Sequence, residues 1–198
     1  MRNLETYRFW GYAATFGALW GAVEITVGSF LHALRIPFSG VVLAGFGAAL
    51  LIALRRVFPV PGVMIAAGLV CAGVKLLSPA GAVVGPMVAI LAESLLVEST
   101  VRWRGATILS GSVAGASAAL WSVLQKLVTQ TLFFGMPVLG IYQGIARQAE
   151  RTLRLPASEG LAAVGLFLSI VVIGGAMFGV VGAWVGKATC RRLVQAES

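Results

Sequence analysis

The sequence predicts an all-α integral membrane bundle of six transmembrane helices with both termini cytoplasmic. Three observations carry that reading. Of 198 residues, 59% are apolar and only 11% are charged, against about 25% charged in ordinary globular chains. Mean hydropathy is +0.94. Charge-free runs recur along the whole chain, and a membrane span needs roughly 20 apolar residues. Together these exclude a disordered chain, a disulfide scaffold and a water-soluble enzyme, and they leave no length for a second folded domain.

The elements follow in order. Helix 1 is expected over about 9–34, interrupted by Glu24; a run of this length holding a carboxylate reads as a retained helix rather than a signal peptide. The next three are expected over 38–56, 62–78 and 84–103, and the last two over 106–134 and 160–187. All seven prolines (Pro37, Pro59, Pro61, Pro79, Pro86, Pro137 and Pro156) fall at or near these limits, where a missing N–H does least harm. The one long connection, 135–159, repeats Ile141, Ile145, Ala149 and Leu153 every four residues, with Arg147, Glu150, Arg151 and Arg154 off that stripe. It predicts a short amphipathic helix on the outer surface, either an interfacial anchor or a lid over an outward-facing site.

Charge sets the expected orientation. Nine basic residues (Arg2, Arg8, Arg55, Arg56, Arg102, Arg104, Lys187, Arg191 and Arg192) fall on one side and four (Arg35, Arg147, Arg151 and Arg154) on the other. The richer side reads as cytoplasmic. The net charge of +8 is thus accounted for by membrane-flanking loops, with no basic face interleaved with aromatics, so nucleic acid is not an expected partner. Cys71 and Cys190 lie about half a bilayer apart in depth, beyond the reach of a disulfide.

Four charges fall inside the spans: Glu24, Lys75, Glu93 and Lys126. Each costs about 2.5–3.5 kcal/mol near the bilayer centre, so such groups pair or serve a function. Counting 1.5 Å per residue puts Lys75 roughly 8 Å and Lys126 about 10 Å above the centres of their helices, on the outer side. Helical spacing groups further polar residues with them. Trp20, Glu24, Gly28 and His32 share one face of helix 1, Cys71 and Lys75 one face of helix 3, and Ser122, Lys126 and Gln130 one face of helix 5, with Gln125 adjoining. Two readings stand. Glu24, His32, Lys75, Glu93, Gln125, Lys126 and Gln130 line an outward-facing polar cavity that binds a small molecule, or two Glu–Lys pairs fix helix packing. Glu98, nearer the cytoplasmic end and four residues from Arg102, reads as structural.

On the opposite face of helix 1, Ala14, Ala18 and Ala22 form a small-residue ladder with Gly17 and Gly21 beside it. Such ladders let backbones approach closely, within the bundle or against a partner. Gly111 and Gly115 read as internal packing of the same kind. No metal site is expected, since one histidine with dispersed carboxylates lacks the N and S ligands a transition metal needs. No cofactor motif is present. Gly186-Lys187-Ala188 lacks the upstream glycine and the hydroxyl residue of a phosphate loop, and there is no HExxH, GxSxG or CxxC. No catalytic residue is assigned.

The strings GALWGAVEITVGSFLHALRIPFSG and GPMVAILAESLLVE, within six short helices carrying a small-residue ladder on the first, resemble the substrate-binding S components of energy-coupling factor (ECF) transporters. The resemblance implies a subunit of a bacterial or archaeal inner membrane that captures a vitamin-like micronutrient beneath the outer loops. It further implies that Ala14, Ala18 and Ala22 meet a transmembrane coupling subunit attached to two ATPases. The N-terminal Met–His motif of the nickel and cobalt members is missing, since Arg2 follows Met1. The rival expectation is a membrane-embedded enzyme or an assembly protein in which the Glu–Lys network is structural.

Overall fold

A computed structural model describes residues 2–34, 38–78, 84–134, 138–153 and 160–197. They form seven helices: α1 (Arg2–Ala33), α2 (Ser39–Val57), α3 (Val63–Lys75), α4 (Val84–Arg104), α5 (Ile108–Phe134), α6 (Val138–Leu153) and α7 (Gly160–Glu197). The four expected sites Arg35, Pro37, Pro79 and Pro137, together with Arg154, Pro156 and the end of the long connection, lie outside the described residues.

Five helices are long and apolar enough to cross a membrane: Leu4–Leu31, Ser39–Val57, Val84–Arg104, Ile108–Gln125 and Ala162–Ala196. The expected sixth span, α3, is apolar but has only 13 residues, about 20 Å of helix against a hydrocarbon layer of about 30 Å. It ends at Lys75 rather than at residue 78, in a turn where the N–H groups of Leu76, Leu77 and Ser78 bond back to Gly73, Val74 and Lys75.

Helix starts are set by local chemistry. Gly62 precedes α3 with φ +86, and Gly105 separates α4 from α5 with φ +70, backbone conformations open to glycine at no steric cost. Thr107 begins α5: its Oγ1 accepts from the Ser110 N–H at 3.1 Å, and the Ser110 hydroxyl accepts from the Thr107 N–H at 2.9 Å. This reciprocal cap moves the start two residues past the expected 106. Phe38, at φ 63 before α2, is held by ring stacking on Phe167 of α7, with centroids 5.3 Å apart.

Two helix pairings organise the bundle. α1 lies on α3, which lies on α4, while α7 packs between α2 and α5. Without water to drive association, close van der Waals contact between small residues decides such pairings. Gly111 and Gly115 of α5 face Gly175 and Gly179 of α7, and a methyl at Gly111 would come within 2.8 Å of the Gly179 carbonyl oxygen. On the other side, a methyl at Gly186 would meet Ala53 Cα and Arg56 Cβ of α2 at 2.9 Å. One core gathers Trp20, Leu51, Ile52, Met64, Cys71 and Val97 from α1 to α4. A second gathers Val41, Val123, Ala149, Phe167 and Val171 from α2 and α5 to α7.

The amphipathic connection is helical as expected. α6 sets Ala149 and Leu153 of its apolar stripe into the second core, leaving Arg147 exposed. Tyr12 of α1 stacks on Phe58 at the end of α2, with ring centroids 4.7 Å apart. The last turns of α7 reach the same end of α2. Both cysteines are free, Cys71 buried and Cys190 exposed.

Candidate functional site

The residues that bring α1 onto α3 are glycines. A methyl at Gly17 would sit 2.7 Å from Val70 Cβ, and one at Gly21 2.8 Å from Val74 Cβ. With those two positions bare, the next turn of α1 delivers Glu24 to the end of α3. There Lys75 Nζ lies 3.4 Å from Glu24 Oε2 and donates to the Glu24 backbone carbonyl at 3.0 Å. The carbonyl contact places the ammonium along the helix surface, so the pair rests on two acceptors of one residue. Both side chains are 12% exposed.

Glu93 of α4 completes the cluster from the third helix. It is 5% exposed and lies within electrostatic reach of Glu24. Cys71, one turn before Lys75 on the same face, feels Glu24, Glu93 and Lys75 together. Among the described residues Glu93 has neither an ion-pair nor a hydrogen-bond partner. The Lys75 ammonium is turned to Glu24, and no described cation bonds Glu93. A buried ionisable group without a partner is costly, and a proton, a cation or a ligand N–H would offset the cost.

Glu24 and Lys75 are thus in contact, and Glu93 lies within electrostatic reach of Glu24. Gln125 is not joined to them by any described contact; its Oε1 is buried without a partner, as is Nε1 of Trp121, one turn earlier on α5. Ser122 bonds to the Ala119 carbonyl of its own helix at 2.7 Å. The side chains of His32, Lys126 and Gln130 lie outside the described ones. No group of three or more metal-ligating side chains occurs among the described residues.

The ladder on α1 is split by function of its neighbours. Gly17 and Gly21 are buried against α3, whereas Ala14, Ala18 and Ala22, on the adjoining face, are exposed. Helix 1 therefore has one face packed in the bundle and an adjoining small-residue face that is exposed among the described residues.

Glu98 is structural, as expected, but not through Arg102. Its Oε1 accepts from the Gly62 N–H at 3.0 Å and its Oε2 from the Met64 N–H at 3.2 Å, capping α3. The i+4 rule sees only neighbours on one helix and misses a partner 34 residues away.

A second feature escaped the sequence reading altogether. A cleft of about 850 Å³ opens where the ends of α2 and α7 meet, walled by Arg55 and Arg56 of α2 and by Lys187 and Arg191 of α7. These four were counted only as orientation signals. The available signal was that each pair is the first charge after a long apolar run, which puts both at one depth.

No protein-family model, curated protein or solved structure matches this chain.

Proposed function

We propose that this protein is the substrate-binding subunit of an ECF-type uptake transporter, with both termini cytoplasmic, and that Glu24, Lys75 and Glu93 bind its cargo. One observation carries the reading: Glu93 is buried in this cluster with no ion-pair or hydrogen-bond partner among the described residues. Intramembrane ionisable residues face the bundle interior or a cavity and mark substrate and ion pathways. Lys75 is occupied by Glu24, so the group Glu93 awaits is a hydrogen-bond donor, an amine or ring N–H of a vitamin-like molecule. The exposed Ala14, Ala18 and Ala22 face supports docking of a coupling subunit that carries two ATPases.

The test is native mass spectrometry of gently extracted protein, looking for a retained small molecule. Glu93→Gln and Lys75→Ala are expected to lose that molecule while remaining monodisperse and helical. Retention in both variants sinks the site. Copurification with a coupling subunit and ATPases, abolished by Ala18→Leu, tests the docking face; an unchanged complex refutes it.

A second reading rests on the Lys75–Glu24 carbonyl bond. That bond ties α3 to α1 through backbone, which suits a network that fixes packing in a membrane-embedded enzyme or assembly protein. On that reading, variants lose stability and no molecule copurifies.

A further inference from the structure

The basic cleft where the ends of α2 and α7 meet is a different site from the Glu24–Lys75–Glu93 cluster and is independent of the transport reading. Arg55 and Arg56 end α2 after a charge-free run that begins at Ile36, and Lys187 follows a charge-free run that begins at Gly160. Their common depth is the boundary between hydrocarbon and water. Gly186 brings the two helices together there, since a methyl at that position would meet Arg56 Cβ at 2.9 Å. Four cationic side chains consequently converge on one cleft, and no acidic residue lines it among the described residues. Nη1 of Arg55 and Nε of Arg56 are buried without hydrogen-bond partners. Guanidinium groups so placed repel one another until an anion sits between them.

The surroundings say where the anion comes from. On α7, Ile173, Met177, Val180 and Trp184 are exposed. They stand at helical spacing on one face, and Lys187 and Arg191 continue the same face by one and two turns. A molecule whose charged end occupies the cleft thus has an uncovered apolar track for its tail, with Trp184 at the level favoured by interfacial aromatics. Pro59 and Val194 give the cleft itself an apolar wall. A free phosphate would use the cations and leave the track bare.

We infer that this cleft binds the phosphodiester headgroup of an anionic phospholipid, held by Arg55, Arg56, Lys187 and Arg191, with its acyl chains along the exposed face of α7. Basic pockets between transmembrane helices recognise such headgroups.

The test is lipid titration of the full-length protein in detergent, read by native mass spectrometry. The probes are dioleoylphosphatidylglycerol, dioleoylphosphatidylcholine and inorganic pyrophosphate. The wild type is expected to bind one phosphatidylglycerol at least tenfold more tightly than phosphatidylcholine. The K187Q/R191Q variant alters two exposed side chains, and it is expected to bind phosphatidylglycerol roughly 30-fold more weakly while phosphatidylcholine adducts stay unchanged. R55Q/R56Q is expected to do the same. Equal binding of the two lipids by the wild type overturns the inference with no variant needed. So does phosphatidylglycerol binding that survives in both double variants. Pyrophosphate binding that depends on the four residues, without any preference for the anionic lipid, also overturns it and reassigns the cleft to a soluble anion.

Discussion

Both carboxylate oxygens of Glu98 on α4 are taken by backbone N–H groups at the start of α3, including that of Met64 at 3.2 Å. A helix of 13 residues is too short to be stable by propensity alone. Its first turn is fastened by a charge from the neighbouring helix, and its last turn by Lys75 on Glu24. Removing the cap leaves the buried Met64 N–H and the part-buried Gly62 N–H without their acceptor. Glu98→Ala is expected to cost about 3 kcal/mol, and Glu98→Gln roughly half of that because one acceptor remains. Thermal unfolding in detergent measures both.

Lys75 offers a cycle that separates packing from binding. Lys75→Met leaves Glu24 and Glu93 facing each other with no cation among the described side chains, and is expected to destabilise by about 3 kcal/mol. Glu24→Gln/Lys75→Met is expected to regain most of that loss, because neither partner is then left charged. The coupling read from the four stabilities is the packing share of the pair. Ligand loss in the double variant, with stability restored, isolates the binding share.

Gly17 and Ala18 are adjacent and are expected to behave oppositely. Gly17→Leu drives a side chain into Val70 and the Ala67 backbone, separating α1 from α3 at a cost of about 3 kcal/mol or more. Ala18→Leu adds bulk to an exposed face and is expected to change stability by less than about 0.5 kcal/mol. Expression level and melting temperature in detergent distinguish the two.

The seam between α5 and α7 gives the same contrast. A methyl at Gly175 would lie 2.5 Å from Ala119 Cβ, while Gly174 has nothing within 4 Å. Gly175→Leu is expected to open the seam and abolish the folded species on size exclusion. Gly174→Ala is expected to be neutral or to stabilise by about 0.5–1 kcal/mol through helix propensity.

Apolar runs located every helix but α6, which its amphipathic repeat located, because in a membrane every backbone group must be satisfied within its own segment. Their ends were less legible. α7 runs ten residues past Lys187, to Glu197, and α1 begins at Arg2 rather than Phe9. An apolar run ends where the bilayer ends, whereas a helix ends where its backbone bonding stops. The segments Lys187–Glu197 and Arg2–Arg8 are good helix formers on the water side of that boundary. The Glu24–Lys75 contact was legible as two unaffordable charges at similar depth. The cap on α3 and the basic cleft were not, because each is built from residues far apart in the chain whose local surroundings look ordinary.

Trp20 lies one turn before Glu24 on the same face of α1, fully buried, with its indole edge against the bare backbone of Gly47. Its Nε1 makes no hydrogen bond among the described residues, so no described protein acceptor masks the field of the nearby charges. Indole emission follows that field. In a chain whose other four tryptophans, Trp10, Trp103, Trp121 and Trp184, are replaced by phenylalanine, the protein therefore carries its own optical gauge of the intramembrane ion pair. Any event that turns Lys75 away from Glu24 shifts its colour in real time, with no label added.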